Sequence, residues 1–140
     1  MNLDHPYDSQ SVEGTTELKI NFAKLTVNGQ NVIPVAVQDA HTGEIILIAY
    51  TNEEAFNATL EKQKAIFWST SRNELWFKGD GSGNTFSIVS IYVNCEQNSL
   101  VYRVTPDKGN ICHVTQNGIA KNCYYRKLNL QTRELEYIQR

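Results

Sequence analysis

The chain has 140 residues, 41% of them hydrophobic and 20% charged, which is enough to bury one ordinary core but not two. A formal net charge of −2 gives no broad attraction to a nucleic-acid backbone and argues against a non-specific DNA or RNA binder. No apolar run approaches the roughly 18 residues that cross a bilayer, and residues 1–14 lack the basic-then-apolar pattern of a signal peptide. We therefore expect a soluble, cytoplasmic protein without membrane or nucleic-acid partners.

The first elements in chain order are a tail and a hairpin. Residues 1–16 have no apolar period and several turn formers, which predicts a mobile tail or surface arm before a single domain at 17–140. Two β-branched runs, 31–39 and 44–50, flank a Thr-Gly turn and predict an antiparallel hairpin. Their apolar density indicates burial on both faces or in an interface. His41 lies in the turn, where a structural role is the simpler expectation.

One helix follows the hairpin. Asn52 before Glu53 and Glu54 predicts a helix start, with an N-cap side chain and acidic residues at the positive end of the helix dipole. The helix should run about ten residues, to near Glu61. Its predicted apolar face consists of Ala55, Phe56, Thr59 and Leu60.

The rest of the chain is dominated by β-like runs. They cover residues 65–69, 74–78, 85–93, 100–104, 123–128 and 135–138. With seven or so strands against one clear helix, the predicted fold class is α+β, a mainly antiparallel β-sheet with one helix.

The three cysteines, Cys95, Cys112 and Cys123, are the residues that point most directly to chemistry. An odd number of cysteines without a signal peptide argues against a disulfide framework. Thiolates are strong zinc ligands, and three protein ligands with one open position are typical of a catalytic zinc site. We therefore predict that the cysteines bind a metal ion; three unrelated buried thiols remain the alternative.

Other side chains could act beside such a metal. His113 directly follows Cys112, and an imidazole near a zinc-bound water can move a proton at neutral pH; the alternative is a surface loop histidine. The glycine-rich segment 78–84 suits close approach of backbone N–H groups to a phosphate, although plain hairpin loops share this composition. Ser69, Ser71 and Arg72 could bind a second phosphate.

Read together, these strings resemble phosphoribosyl-AMP cyclohydrolase, the enzyme of histidine biosynthesis that opens the adenine ring of its substrate. The resemblance covers about residues 32–126, and the order and spacing of its motifs are specific. The matching strings are Ile33-Pro-Val-Ala-Val-Gln-Asp39, Thr42-Gly-Glu44, Ala49-Tyr-Thr-Asn52 with Glu54-Ala55, Trp68-Ser-Thr-Ser-Arg72, Leu75-Trp-Phe-Lys-Gly79, Ser82-Gly-Asn84, Asn94-Cys-Glu96, Cys112-His113 and Cys123-Tyr-Tyr-Arg126.

The resemblance implies an obligate homodimer that shares zinc, with Cys95 from one subunit and Cys112 and Cys123 from the other. It implies hydrolysis of the N1–C6 bond of 1-(5-phosphoribosyl)-AMP by zinc-activated water, with His113 moving the proton. The residues implied to bind this substrate, with its two phosphates, are Trp68, Ser69, Ser71, Arg72, Lys78, Ser82 and Asn84.

The chain departs from the family pattern at three places. The family carries three carboxylates around the first cysteine, linked to magnesium, whereas this chain has Asn94, Glu96 and Asn98. With one carboxylate left, we expect weaker binding of Mg²⁺. Ten residues rather than about six separate Cys112 from Cys123, and a loop can absorb such an insertion. Thr70 replaces a residue that is commonly basic, so one phosphate contact is expected to be missing.

Two alternatives stay open at this level. One is a related zinc hydrolase that acts on another purine-like ring, which the changed acidic cluster allows. The other is a non-catalytic dimeric relative in which zinc is structural and a fourth protein ligand occupies the position of the water.

Overall fold

The computed structural model of the chain describes residues 13–79, 84–107, 115–116, 119–120 and 122–138. A short 3₁₀ turn at Phe22–Lys24 precedes the first strand. The elements that follow are β1 (Leu25–Val27), β2 (Gln30–Asp39), β3 (Ile45–Thr51), α1 (Glu53–Lys62), β4 (Ile66–Ser69), β5 (Glu74–Phe77), β6 (Phe86–Val93), β7 (Leu100–Pro106), β8 (Thr115–Gln116), β9 (Ile119–Ala120), β10 (Arg126–Leu128) and β11 (Leu135–Tyr137).

A mixed sheet forms the centre of the described fold. Strand β2 pairs antiparallel with β3 and parallel with β7, and β7 pairs antiparallel with β6. Because the middle of β2 pairs with both neighbours, β3 and β7 lie on its opposite sides, giving the order β3, β2, β7, β6. One helix beside a mostly antiparallel sheet confirms the α+β prediction, while the parallel β2–β7 pair was not foreseen.

The hairpin of β2 and β3 is present where the sequence predicted it. The Asp39 carboxylate accepts hydrogen bonds from the backbone N–H groups of His41 and Thr42, and Gly43 adopts a φ of +79° that favours glycine. Within this chain, however, Ile45 and Ile48 of β3 are exposed, at 41% and 50%. Burial on both faces is therefore wrong for the single chain, since a β-bulge at Ile46 lets the adjacent Ile46 and Leu47 both be buried and leaves Ile45 and Ile48 exposed. Burial in an interface stays a prediction.

Helix α1 also begins as predicted. The Asn52 side chain accepts a hydrogen bond of 2.9 Å from the backbone N–H of Ala55, and Gln63, with a φ of +56°, caps the C-terminal end of the helix. Three of the four predicted face residues are buried, but Leu60 is 45% exposed. Leu60 was therefore wrongly assigned to the core; the buried stripe faces strands β3 and β4 and ends at Thr59.

The core lies between this sheet, the helix and the β4–β5 hairpin. Its largest fully buried side chains include Tyr102, Phe67 and Phe86, and the rings of Phe67 and Tyr102 stack with their centroids 5.9 Å apart. Burial raises the pKa of Tyr102 to about 12, against the effect of the neighbouring Thr51 and Thr59 hydroxyls. Among the described residues, no helix is long and apolar enough to cross a membrane.

Candidate active site

Cys123 lies in a surface cavity beside strand β3. Its backbone N–H donates a hydrogen bond of 2.9 Å to the carbonyl oxygen of Ile46, which ties the chain to the edge of the sheet. The cavity has a volume of about 300 Å³ and is also lined by Trp68, Ser69 and Ser71. The predicted metal ligand and three predicted substrate-binding residues therefore meet at one place.

The indole of Trp68, which lines this cavity, carries a buried polar group. Its Nε1 atom is buried and finds no hydrogen-bond acceptor among the residues that the structure describes. A buried N–H without an acceptor is costly, so the indole would be stabilised if an acceptor came within hydrogen-bond distance of Nε1. The substrate-binding role of Trp68 stays a prediction.

The turn between β4 and β5 carries the other predicted phosphate-binding groups. The Ser69 hydroxyl accepts a hydrogen bond from the backbone N–H of Arg72 and lies 3.3 Å from the Ser71 hydroxyl. A second cavity, of about 290 Å³, is lined by these three residues and shares Ser69, Ser71 and Trp76 with the first. The hydroxyls and the guanidinium are suited to an anion, whereas the carboxylate of Glu74, which also lines this cavity, would oppose one.

Asn28 holds this turn from outside and was not predicted to do so. Its side-chain amide donates a hydrogen bond of 2.7 Å to the backbone carbonyl of Thr70. Asn28 itself occupies the tight turn between β1 and β2, with a φ of +52°. The contact joins two turns 42 residues apart in the chain, and no local sequence pattern predicts it.

Lys78 and Asn84 lie at the two ends of the glycine-rich segment. The Lys78 ammonium donates a hydrogen bond of 3.3 Å to the Asn84 carbonyl and stands 4.7 Å from the centroid of the Phe86 ring. A Cβ added at Gly79 would lie 2.2 Å from the Asn84 carbonyl carbon, so the close backbone approach needs glycine. Ser82, between them, lies outside the described residues.

Cys95 lies in the loop between β6 and β7, in a different cavity. Its thiol is exposed, and the cavity of about 210 Å³ is shared with the N-terminal residues Glu13, Thr15 and Thr16. These arm residues belong to the segment predicted as a tail, and the structure places them against the loop; residues 1–12 lie outside the described part of the chain.

Gln97 joins the N-terminal arm to the Cys95 loop and was missed from the sequence. It is 5% exposed, and its amide accepts a hydrogen bond from the N–H of Lys19 and donates one to the carbonyl of Glu17. The backbone carbonyl of Gln97 accepts a third hydrogen bond from Asn21. A glutamine in a polar string gives no periodic signal of burial, so this role was not predictable.

Two of the three cysteines can be located, and they lie apart within one chain. Cys123 is bonded to β3, whereas Cys95 follows β6, and three inter-strand spacings separate these strands by roughly 14 Å. Two thiolates that bind one zinc ion must each lie at about 2.3 Å from it. Among the described residues, no three His, Cys, Asp or Glu side chains form a cluster fit for a metal; Cys112 and His113 lie outside that part of the chain.

Asp107, where β7 ends, is the centre of a charged cluster that was also missed. Its carboxylate accepts hydrogen bonds from Lys64 at 2.8 Å, Ser87 at 2.6 Å and Thr85 at 2.5 Å. Burial opposes ionisation, but these donors outweigh it and lower the pKa of Asp107 to about 2. The cluster fixes the start of β6, which follows the glycine-rich segment. It also fixes Asp107, the residue directly before segment 108–114, which carries Cys112 and His113.

The phosphoribosyl-AMP cyclohydrolase family model matches residues 47–125. The chain is 40% identical over 117 residues to the phosphoribosyl-AMP cyclohydrolase of Chlorobium phaeovibrioides, covering 84% of this chain and 80% of that protein. It is also 40% identical over 117 residues to that of Methanobrevibacter smithii, covering 84% of each. A histidine biosynthesis bifunctional protein of Aquifex aeolicus is 37% identical over 105 residues, 75% of this chain and 49% of its own length.

Proposed function

The chain belongs to the phosphoribosyl-AMP cyclohydrolase family, enzymes of histidine biosynthesis, and on that premise we propose that it hydrolyses the N1–C6 bond of 1-(5-phosphoribosyl)-AMP with the help of zinc. The observation that supports this most is the cavity in which Cys123 meets Trp68, Ser69 and Ser71. A thiol that can bind a metal, beside hydroxyls and an aromatic indole, suits a phosphorylated purine nucleotide. Because such a substrate is a small cytoplasmic metabolite, we also propose a cytoplasmic location for the enzyme.

The chemistry requires water to add across one bond. The hydroxyl oxygen joins C6, the N1–C6 bond breaks, and N1 receives a proton, so that C6 becomes the carbon of a carboxamide. Zinc, when held by Cys95, Cys112 and Cys123, would act as a Lewis acid and lower the pKa of a water molecule to about 7. His113 would transfer the proton to N1. Ser69, Ser71 and Arg72 would hold one phosphate, and Lys78, Ser82 and Asn84 the other.

We further propose that each zinc site is built by two subunits of a homodimer. The separation of Cys95 from Cys123 supports this, because one chain as folded here does not bring both thiols to a common ion. Both thiols are exposed at the surface and thus accessible to another subunit. The exposed Ile45 and Ile48 of β3, the strand to which Cys123 is bonded, would be covered in such an assembly.

Mixed dimers provide the test. Cys95→Ala and Cys123→Ala variants should each bind little zinc and show no ring-opening activity. When the two are refolded together, a mixed dimer has one complete site, because the intact Cys95 comes from one subunit and the intact Cys112 and Cys123 from the other. We expect about a quarter of the wild-type activity per subunit in a random mixture.

The matched control is a mixture of Cys112→Ala with Cys123→Ala. Both residues are assigned to the same subunit of each site, so no mixed dimer regains a complete site and activity should stay absent. Restored activity in this control, or none in the first mixture, would contradict the shared site. Wild-type enzyme that is fully active without metal would contradict zinc hydrolysis itself, and zinc-loaded protein without turnover would favour a non-catalytic relative.

A further inference from the structure

The loop that carries Cys95 is closed by neutral hydrogen bonds. Asn94 Oδ1 accepts the backbone N–H groups of Asn98, at 2.8 Å, and Ser99, at 2.9 Å. Asn94 Nδ2 donates a hydrogen bond of 2.8 Å to Asn98 Oδ1. Two backbone hydrogen bonds between the loop ends complete the turn, from Asn94 to Ser99 and from Gln97 to Asn94. Each of these groups is uncharged.

The hydrogen bonds determine which atom of each amide faces which way. Two backbone N–H groups point at one end of the Asn94 side chain, so that end must be the oxygen. The Asn94 nitrogen therefore faces Asn98, and the Asn98 oxygen must face back toward it. Both amide oxygens are thus engaged as hydrogen-bond acceptors, and an NH₂ group lies where a second carboxylate oxygen would be on an aspartate.

This arrangement does not fit the magnesium site that the family resemblance implies. Mg²⁺ requires oxygen ligands, most often carboxylates, at about 2.0–2.1 Å, and an NH₂ group cannot serve as one. Glu96 is the one carboxylate left in the loop, and its side chain is exposed. A single exposed carboxylate holds a strongly hydrated divalent cation only weakly.

We propose that hydrogen-bonded amides, rather than a divalent cation, hold the Cys95 loop of this chain, so that the protein does not bind Mg²⁺ at Asn94, Glu96 and Asn98. The inference rests on the proposed function in taking Cys95 as a zinc ligand whose loop must keep its shape. Gln97 adds further uncharged hydrogen bonds, because its buried side-chain amide pairs with the backbone of the arm at Glu17 and Lys19. The loop would then keep its shape without Mg²⁺.

Titration with MgCl₂ tests the proposal on zinc-loaded protein. Calorimetry should detect no Mg²⁺ binding to the wild type, and its melting temperature should change by less than about 1 °C at about 10 mM MgCl₂ against NaCl of equal ionic strength. The variant Asn94→Asp with Asn98→Asp places two carboxylates within hydrogen-bond distance, where they repel each other. Mg²⁺ would relieve the repulsion and should raise the melting temperature of this variant by about 3 °C or more.

Asn129→Asp is the matched control. Asn129 Oδ1 also accepts two backbone N–H groups, from Gln131 and Thr132, but it lies in the turn between β10 and β11. This variant should show no response to Mg²⁺.

Two outcomes would overturn the proposal. One is Mg²⁺ binding to the wild type that Glu96→Gln abolishes, and the other is a folded double variant that remains insensitive to Mg²⁺. The wild-type titration decides the question even where the double variant does not fold. A protein that binds zinc but does not turn over substrate would refute the proposed function and leave this result unchanged.

Discussion

The two ends of the β6–β7 hairpin are held by different kinds of interaction. At one end the loop of residues 94–99 is closed by amides, and at the other Asp107 binds an ammonium and two hydroxyls. The stabilisation from hydrogen bonds between neutral groups depends little on pH or salt, whereas the stabilisation from an exposed ion pair depends on both. The amide hydrogen bonds that close the Cys95 loop should therefore persist in acid. The interactions of Asp107, the residue before the segment with Cys112 and His113, should be lost in acid.

The largest expected effect on stability comes from removing the amide hydrogen bonds that close the loop of residues 94–99. Asn94→Ala removes the acceptor of two backbone N–H groups and the partner of the Asn98 oxygen in a partly buried loop. We expect the free energy of unfolding to fall by about 2–3 kcal/mol, as measured by urea denaturation. The fall should be the same at low and at neutral pH in zinc-free protein, because no titrating group is removed.

Asn129→Ala serves as the comparison for this loss. Its side chain also accepts two backbone N–H groups, but the turn between β10 and β11 is exposed and water can replace the lost acceptor. The expected cost is about 1 kcal/mol or less. An equal loss in both variants would contradict the special role of the Asn94–Asn98 pair.

A smaller effect should follow from releasing the arm. Gln97→Gly keeps the left-handed backbone, since the φ of Gln97 is +53°, but removes the side-chain amide that pairs with Glu17 and Lys19. We expect a loss of about 1–2 kcal/mol and faster amide hydrogen exchange confined to the arm at residues 17–21. In Gln97→Asn the amide is retained but shortened, and it should restore part of the protection.

Exchange of the arm that stays as slow in Gln97→Gly as in the wild type would refute its anchoring by Gln97. An increase spread over β6 and β7 would instead indicate that the substitution unfolds the hairpin. Asn94→Ala is informative here too, because it should loosen the loop while leaving the Gln97 amide itself intact.

What could be predicted from the sequence was local. The β2–β3 hairpin and helix α1 follow from turn chemistry and an N-cap within a few residues, and both formed as expected. Strand β10 begins at Arg126 rather than at Cys123, because Cys123 bonds instead to Ile46 in β3. The parallel pairing of β2 with β7 joins Val35 to Leu100, and no local pattern records a partner so distant in the chain.

The residues of the candidate site likewise divide into those with a local sequence signal and those without one. The hydroxyls of Ser69 and Ser71 were identified by composition and do line the Cys123 cavity. Asn94 and Asn98 were considered as cation ligands because their oxygens are suitable, and only coordinates show that those oxygens already accept hydrogen bonds. Lys64 and Asp107 are 43 residues apart, so their pairing had no sequence signal.

The smallest expected effect on stability comes from removing the charge of Asp107, and it should depend on pH. The pKa of Asp107 is lowered from 3.8 to about 2 in the folded state, so its contribution is fully present above pH 3.8 and is lost as the pH falls toward 2. Because the cluster is exposed to solvent, we expect about 1 kcal/mol or less. Asp107→Asn should therefore be less stable than the wild type at pH 5, and the difference should vanish near pH 2 in zinc-free protein. Asn94→Ala should keep its full deficit over that range, so a parallel convergence of both variants would show that the two ends do not differ in kind.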